Sequence, residues 1–86
     1  MSQFEKMKAK IMRDDSPRDI TPAELQNFMI KYGFELTSKR GSHFSFKHSC
    51  LRHIVTIPMH SPIKRPYIKL VKEMIEEVEQ NETLQN

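Results

Sequence analysis

The spacing of apolar residues predicts a short helix near the start of the chain. Phe4, Met7 and Ile11 recur at intervals of three and four residues, which places them on one face of a helix over about residues 3–13. Ser2 stands at the capping position, with a glutamate three residues later, as in a capping box. The segment that follows contains aspartates and a proline, and it predicts a loop.

A second helix is marked at both ends. Thr21 begins the capping-box sequence TPAE, and Pro22 occupies the first helical position, where its missing N–H is harmless. Gly33 stands where a left-handed residue would end the helix. The residues between them form one apolar stripe at helical spacing: Leu25, Phe28, Met29 and Tyr32.

The period of the pattern changes to two over residues 34–57. Apolar and polar residues alternate in three short segments, FELTSK, SHFSFK and RHIVTI, which are separated by RG and HSCL. Alternation of this kind predicts three strands joined by tight turns, an antiparallel meander. Pro58 is expected to end the third strand.

A third helix is predicted over about residues 66–80, with Pro66 at its first position and a core stripe of Ile68, Val71, Ile75 and Val78. The order α-α-β-β-β-α describes an α+β domain in which helices cover one face of a three-stranded antiparallel sheet. At 86 residues the chain forms one domain, 1–86, with an extra helix ahead of a core over about residues 20–80.

Alternation also assigns the side chains of the sheet to its two faces. Phe44 and Phe46 are large and apolar, so their face is predicted to meet the helices, and His43 is predicted to point to the open face. The predicted open face carries Thr37, Lys39, His43, Ser45, Lys47, Arg52, Ile54 and Thr56. His53 alternates with these residues and is expected at the edge of the core. A histidine on an open sheet face is usually a tolerated polar residue, so this pattern alone leaves a chemical role for His43 open.

Charge is distributed unevenly along the chain. Residues 1–30 hold five basic and five acidic residues, whereas residues 31–72 hold nine basic residues and one acidic residue, a net charge of +8. Residues 73–86 hold five glutamates and no lysine or arginine. A basic centre suits a polyanion such as nucleic acid, although a solvated basic surface with an acidic tail has the same composition.

The cysteine and histidine pattern favours neither a disulfide nor a metal site. Cys50 is the single cysteine, which agrees with a reducing cytoplasm, and it is expected in a loop or at a strand edge. The histidines at 43, 48 and 53 are close in sequence, but their predicted directions do not converge as zinc ligands must. We therefore predict no metal and no cofactor. No apolar run is long enough to span a membrane.

Four segments of the chain resemble the HicA family of toxin–antitoxin mRNA interferases. They are KYGFEL after the second helix, KRGSHFSF at the first turn, HIVTIPMH at the third strand and KRPYIKLVKEMIE into the last helix. The Gly-Ser-His unit and the later Pro-x-His are the more specific pieces, and the resemblance covers about residues 20–78. It implies a fold like that of double-stranded-RNA-binding domains, with the order α-β-β-β-α.

The resemblance also implies an activity and a partner. It implies cleavage of mRNA without a metal, which blocks translation, and a complex with a HicB antitoxin. The catalytic histidine that it implies is His43, which follows the Gly-Ser pair. His43 would act as general base or acid when a ribose 2′-hydroxyl attacks the adjacent phosphate. Water, a substrate group or His60 would supply the second proton transfer, with a structural role in the loop as the alternative for His60.

Basic residues near this histidine and before the last helix are expected to contact RNA. Lys39, Arg40 and Lys47 are expected to stabilise charge on the phosphorane. The predicted RNA-binding set is Lys39, Arg40, Ser42, Ser45, Lys47, Lys64, Arg65 and Lys69. Two other functions fit the same face: an RNA-binding module without catalysis, and an interaction domain that receives an acidic protein. The antitoxin is expected to cover the His43 face, and oligomers are expected to form through the antitoxin complex.

Overall fold

The computed structural model of the protein describes residues 3–13 and 19–85. The elements are α1 (Gln3–Met12), α2 (Pro22–Tyr32), β1 (Glu35–Arg40), β2 (His43–Lys47), β3 (Val55–Pro58) and α3 (Arg65–Gln85). This order confirms the predicted α+β fold, an α-β-β-β-α arrangement preceded by a helix. The predicted cap at Ser2 and most of the loop after α1 lie outside the described residues.

The second helix begins and ends where the sequence predicts. The Thr21 hydroxyl accepts the Glu24 N–H at 3.2 Å, and the Glu24 carboxylate accepts the Thr21 N–H at 3.0 Å. The hydrogen bond from the Thr21 backbone also lowers the pKa of Glu24. At the other end Gly33 adopts φ 113°, a left-handed conformation that a residue with a side chain would hold under strain.

Strands β1, β2 and β3 lie in sequence order and pair antiparallel. The first turn lies one residue later than predicted, because Arg40 is the last residue of β1 and the turn consists of Gly41 and Ser42. Gly41 has φ 60°, which suits a two-residue hairpin turn that starts with glycine. His43 is therefore the first residue of β2.

A β-bulge at Thr37 changes the faces of β1. Leu36 pairs with Phe46, but Ser38 and not Thr37 pairs with Ser45, so one residue of β1 is extra. Every residue of β1 after the bulge is consequently displaced by one position relative to the predicted alternation.

The displacement corrects the prediction for the two basic residues at the end of β1. Lys39 pairs with Phe44 and shares its face, away from the predicted open-face position. Its ammonium group lies 5.0 Å from the centre of the Phe44 ring. Arg40 lies on the open face instead of Lys39, because Arg40 pairs with His43.

The third strand is shorter than predicted, and the third helix is longer. Arg52 and Ile54 precede β3 and do not belong to the sheet, whereas Pro58 is the last residue of the strand. The last helix starts one residue before Pro66 and continues through the glutamate-rich segment to Gln85. None of the described helices has an apolar stretch that could cross a lipid bilayer.

One apolar core lies between the helices and the Phe46 face of the sheet. Phe46 and Ile57 of the sheet are fully buried, as are Leu25 of α2 and Val71 of α3. Ile11 adds α1 to the same core. The helices thus cover one face of the sheet, as predicted, and the opposite face stays open.

His53 was predicted at the edge of the core but is exposed, and the buried histidine is His48. The His48 ring meets Phe34 edge-on with the ring centres 5.0 Å apart, and its Nδ1 accepts the Cys50 N–H at 3.0 Å. Gly33 leaves the space for this ring, because a Cβ there would lie 3.1 Å from His48 Nε2. His48 is thus a core histidine with a structural role.

Candidate functional site

The open face of the sheet carries its side chains in three rows that run across the strands. The rows follow from the pairing register, since residues directly opposite each other point to the same face. The histidine row is Arg40, His43 and Pro58; the hydroxyl row is Ser38, Ser45 and Thr56; the charged row is Glu35 and Lys47.

The histidine row brings an imidazole and a guanidinium together at the end of the β1–β2 hairpin. His43 is exposed and directly faces Arg40, which is also exposed. Side chains opposite each other in an antiparallel pair have Cβ atoms about 5 Å apart, within reach of one common ligand. Pro58 borders His43 on the β3 side. The row therefore presents one group that can exchange a proton and one fixed positive charge to the same side of the sheet.

The chain that leads to His60 is held beside the Gly41–Ser42 turn. The Met59 N–H donates to the Ser42 carbonyl at 2.6 Å, so the contact between β2 and β3 continues past the His43–Pro58 pair. Met59 is buried, whereas His60 is exposed. The Gly-Ser-His unit, residues 41–43, and the Pro-x-His unit, residues 58–60, meet at this end of the sheet.

The hydroxyl row lies next to the histidine row. The Ser45 Oγ and the Thr56 Oγ1 are 2.8 Å apart and share a hydrogen bond. The hydroxyl of the bulge residue Thr37 donates to the Ser45 carbonyl at 3.2 Å. Ser38 enters this row only because of the bulge, and nothing in the alternation of the sequence indicated it.

The other predicted lysines of the sheet do not flank His43. Lys47 is four residues along β2 from His43 and lies opposite Glu35, with 3.6 Å between the ammonium and the carboxylate. Both side chains are more than half exposed, so this ion pair contributes little to stability. Lys39 faces Phe44 on the other side of the sheet.

Three further predicted RNA-binding residues gather at the start of α3. Lys64, Arg65 and Lys69 are exposed. The Lys64 carbonyl accepts the N–H groups of Tyr67 and Ile68 at 3.0 and 3.2 Å, so the helix starts here. The loop that leaves β3 beside His43 leads directly into this cluster, which is on an element separate from the three rows.

A groove of about 460 Å³ runs between α1 and α2, with Phe4, Met7 and Phe28 among its lining residues. It belongs to the helical side of the molecule and contains none of the histidines. Within residues 3–13 and 19–85, no three His, Cys, Asp or Glu side chains are placed so that they could hold a metal ion.

Comparison with known families shows what the chain is similar to. The family described as "HicA toxin of bacterial toxin-antitoxin" matches residues 22–79, which is about two thirds of the chain. The matched segment contains the whole sheet and the start and middle of α3, and it leaves α1 outside. No curated protein and no solved structure matches the chain.

Proposed function

Since the chain belongs to the HicA family, the toxins of bacterial toxin–antitoxin systems, we propose that it is an endoribonuclease that cleaves mRNA and thereby inhibits translation. Family membership makes the chain the toxin of a pair whose other member is an antitoxin. The observation that carries the proposed activity is the exposed cross-strand pair of Arg40 and His43 on the open face of the sheet.

The proposed reaction needs only groups of the chain and of the RNA. His43 accepts the proton of a ribose 2′-hydroxyl while the 2′-oxygen attacks the adjacent phosphorus. Arg40 stabilises the negative charge that develops on the phosphorane oxygens. The bond from phosphorus to the 5′-oxygen then breaks, which leaves a 2′,3′-cyclic phosphate on one fragment and a 5′-hydroxyl on the other. DNA lacks the attacking hydroxyl and would not be cleaved.

The departing 5′-oxygen requires a proton, and His60 is the residue that we propose for this role. Support comes from the Met59–Ser42 hydrogen bond, which keeps the chain entering His60 beside the turn that precedes His43. A solvent water is the alternative donor, since His43 and His60 are both exposed and solvent therefore reaches this end of the sheet. The variant His60→Ala separates the two: loss of about tenfold or more in rate supports His60, and an unchanged rate supports water.

The register of the sheet indicates which of the predicted RNA-binding residues can reach the scissile phosphate at His43. Arg40 is the charge partner of His43, whereas Lys39 points to the opposite face. Lys47 lies about 13 Å from His43 along the strand, so it would contact RNA beyond the scissile phosphate. Lys64, Arg65 and Lys69 would hold a neighbouring part of the RNA backbone, where the N-terminus of α3 also attracts phosphate.

The test compares His43→Ala with His53→Ala on a short single-stranded RNA in the presence of EDTA. His53 is an exposed histidine outside the sheet, so its loss controls for removal of an imidazole. We expect His43→Ala to lower the cleavage rate by about 10²–10⁴-fold and His53→Ala to leave it unchanged. Equal cleavage by the His43 variant would refute the assignment. Tight, salt-sensitive binding without cleavage by the wild-type protein would identify an RNA-binding module instead.

We also propose that the antitoxin is of the HicB type and covers the His43 face. An inhibitor that buries the histidine row would block access of RNA to the exposed pair of His43 and Arg40. Hydrogen exchange of the complex tests this: we expect protection at β2 and at the Gly41–Ser42 turn. Protection confined to α1 and α2 would show that the antitoxin binds the helical side.

A further inference from the structure

We propose that the hydroxyl row, Ser38, Ser45 and Thr56, is the subsite that holds the nucleoside next to the scissile phosphate and discriminates its base. The inference rests on the proposed function, because His43 defines where the scissile phosphate lies. It goes beyond the proposed function in two ways. It names the ribose and base of one nucleoside as the ligand, and it gives a role to Ser38 and Thr56, which form no part of the proposed catalytic machinery.

The distance between the two rows fits one nucleotide. Ser45 follows His43 by two residues on the same face of β2, and two residues of a strand advance by about 7 Å. Thr56 has the same relation to Pro58 on β3. A ribose whose phosphate lies at His43 therefore reaches the hydroxyl row when the RNA runs along the strands.

The three side chains of the row are small, and they lie side by side across all three strands. The bulkier histidine row borders them on one side, and the Glu35–Lys47 ion pair borders them on the other. The row is thus a low strip between two higher ones, where a flat base can approach the sheet closely. Ser38 and Thr56 are exposed, which leaves this strip open to a ligand.

The chemistry of the row suits a base or a ribose better than a phosphate. It carries no charge, whereas phosphate groups are bound most strongly by cationic side chains and by helix N-termini. Each hydroxyl can both donate and accept, as base edges and ribose hydroxyls require. In the Ser45–Thr56 pair one hydroxyl donates to the other, so the acceptor keeps its own proton for a ligand.

The bulge fixes the row in place. Thr37 donates to the Ser45 carbonyl, and the extra residue that it represents turns Ser38 towards the open face. Without this shift Ser38 would point to the helices. The bulge thus has two effects: it places Arg40 opposite His43, and it places Ser38 in the hydroxyl row.

The test uses the double variant Ser45→Ala/Thr56→Val. Removing both partners of a hydrogen bond leaves no unpaired group, so the variant is expected to fold, and its melting temperature checks this. Ser38→Ala, at an exposed position, is the second variant should the double variant melt early. Ser49→Ala, an exposed serine in the connection between β2 and β3, is the matched control.

Cleavage is measured on four RNAs that differ only in the base beside the scissile phosphate. We expect the wild-type protein and Ser49→Ala to prefer one base by about tenfold or more, and the double variant to lose at least about fivefold of that preference. Cleavage of the four RNAs at equal rates by the wild type would overturn the inference. So would a double variant with an unchanged preference.

Binding separates failure of this inference from failure of the proposed nuclease. In the His43→Ala background, the affinities of the four RNAs are measured by fluorescence anisotropy with and without the hydroxyl substitutions. If the wild type does not cleave, yet binding shows a base preference that needs Ser45 and Thr56, the nuclease proposal fails and the subsite stands. Binding without any such preference overturns the subsite, whatever the cleavage assay shows.

Discussion

At the scale of single residues, one extra residue in β1 decides which basic side chain lies opposite His43. Thr37 and Ser38 are both polar, so the hydrophobic pattern contains no signal that a bulge separates them. The alternation correctly predicted the faces of His43 and Phe46, because β2 is regular, and it failed for Lys39 beyond the bulge. Side-chain direction in a strand is predictable only as far as its register is unbroken.

Exchanging Arg40 and Lys39 separately for alanine tests this register. Arg40→Ala should lower kcat/KM for RNA cleavage by about 10- to 100-fold, since it removes the charge opposite His43. Lys39→Ala should change kcat/KM by less than about threefold, since that ammonium lies over the Phe44 ring on the other face. A larger effect of Lys39→Ala than of Arg40→Ala would contradict the assigned roles.

His48 shows a second limit of the sequence pattern. Its burial depends on Gly33, which is 15 residues away in sequence and has no side chain to occupy the space of the imidazole. A periodicity within one strand cannot report a contact of this kind, and His53 was therefore the histidine expected at the edge of the core. Burial does not leave the ring nitrogen Nδ1 of His48 without a hydrogen bond, because this atom accepts the nearby Cys50 N–H.

Urea unfolding of His48→Ala and His53→Ala distinguishes the two histidines. We expect His48→Ala to lower the free energy of unfolding by about 2 kcal/mol, because it removes a buried ring and leaves the Cys50 N–H without its acceptor. His53→Ala should change it by less than about 0.5 kcal/mol, as is usual for exposed positions. Similar losses in the two variants would argue against the core role of His48.

At the scale of elements, the helix ends were predictable and the strand ends were less so. Thr21 and Gly33 carry local capping chemistry that fixes α2 whatever surrounds it. The start of β3 depends instead on where β2 offers a partner, and pairing begins only at the Phe46–Val55 pair. The segment RHIVTI was predicted as strand over its whole length, but residues 52–54 have no partner strand to pair with.

The attachment of α1 also depends on contacts that no local pattern contains. Lys8 donates to the Glu79 carboxylate of α3 at 2.6 Å and lies 5.6 Å from the centre of the Tyr32 ring of α2. The hydrogen bond from Lys8 lowers the pKa of Glu79, with a smaller contribution from Tyr32. Burial, together with Glu79, raises the pKa of Tyr32. One polar contact thus joins the helix outside the family segment to both helices of the core.

This lowered pKa predicts a pH-dependent contribution of Glu79 to stability. The folded state holds its carboxylate charged, so the contribution is complete above the ordinary pKa of 4.5 and is lost as the pH falls through the lowered value. Both partners are more than a third exposed, which limits the contribution to about 0.5 kcal/mol. We expect Glu79→Gln to be less stable than the wild type by this amount at pH 7.

Urea unfolding at pH 7 and at pH about 3 measures this difference, with the exposed Glu76→Gln as the control. The deficit of Glu79→Gln should shrink at the lower pH, because protonation of the wild-type carboxyl group removes its charge. A deficit that is equal at both values would assign the effect of the substitution to packing and not to charge.

At the scale of the whole molecule, the two sides of the sheet carry different surfaces. Arg40 and His43 stand on the open face, whereas the opposite side is formed by helices that include the glutamates of α3. Lysines are also present on the helical side, at Lys6 and Lys31 along the α1–α2 groove. The net charge of +3 therefore does not distinguish the two sides, and the proposed RNA-binding surface is assigned by its position on the open face of the sheet.

The salt dependence of RNA binding distinguishes the two sides. Each phosphate contact on single-stranded RNA contributes roughly 0.7 to the slope of log K against log salt concentration. In the His43→Ala background, which avoids cleavage, Arg40→Gln should reduce the slope by about this amount. Lys31→Gln removes the same charge from the exposed surface of α2 and should leave the slope unchanged, because α2 lies behind the sheet. If the slope falls for Lys31→Gln and not for Arg40→Gln, the RNA lies on the helices, and the histidine row is not its binding surface.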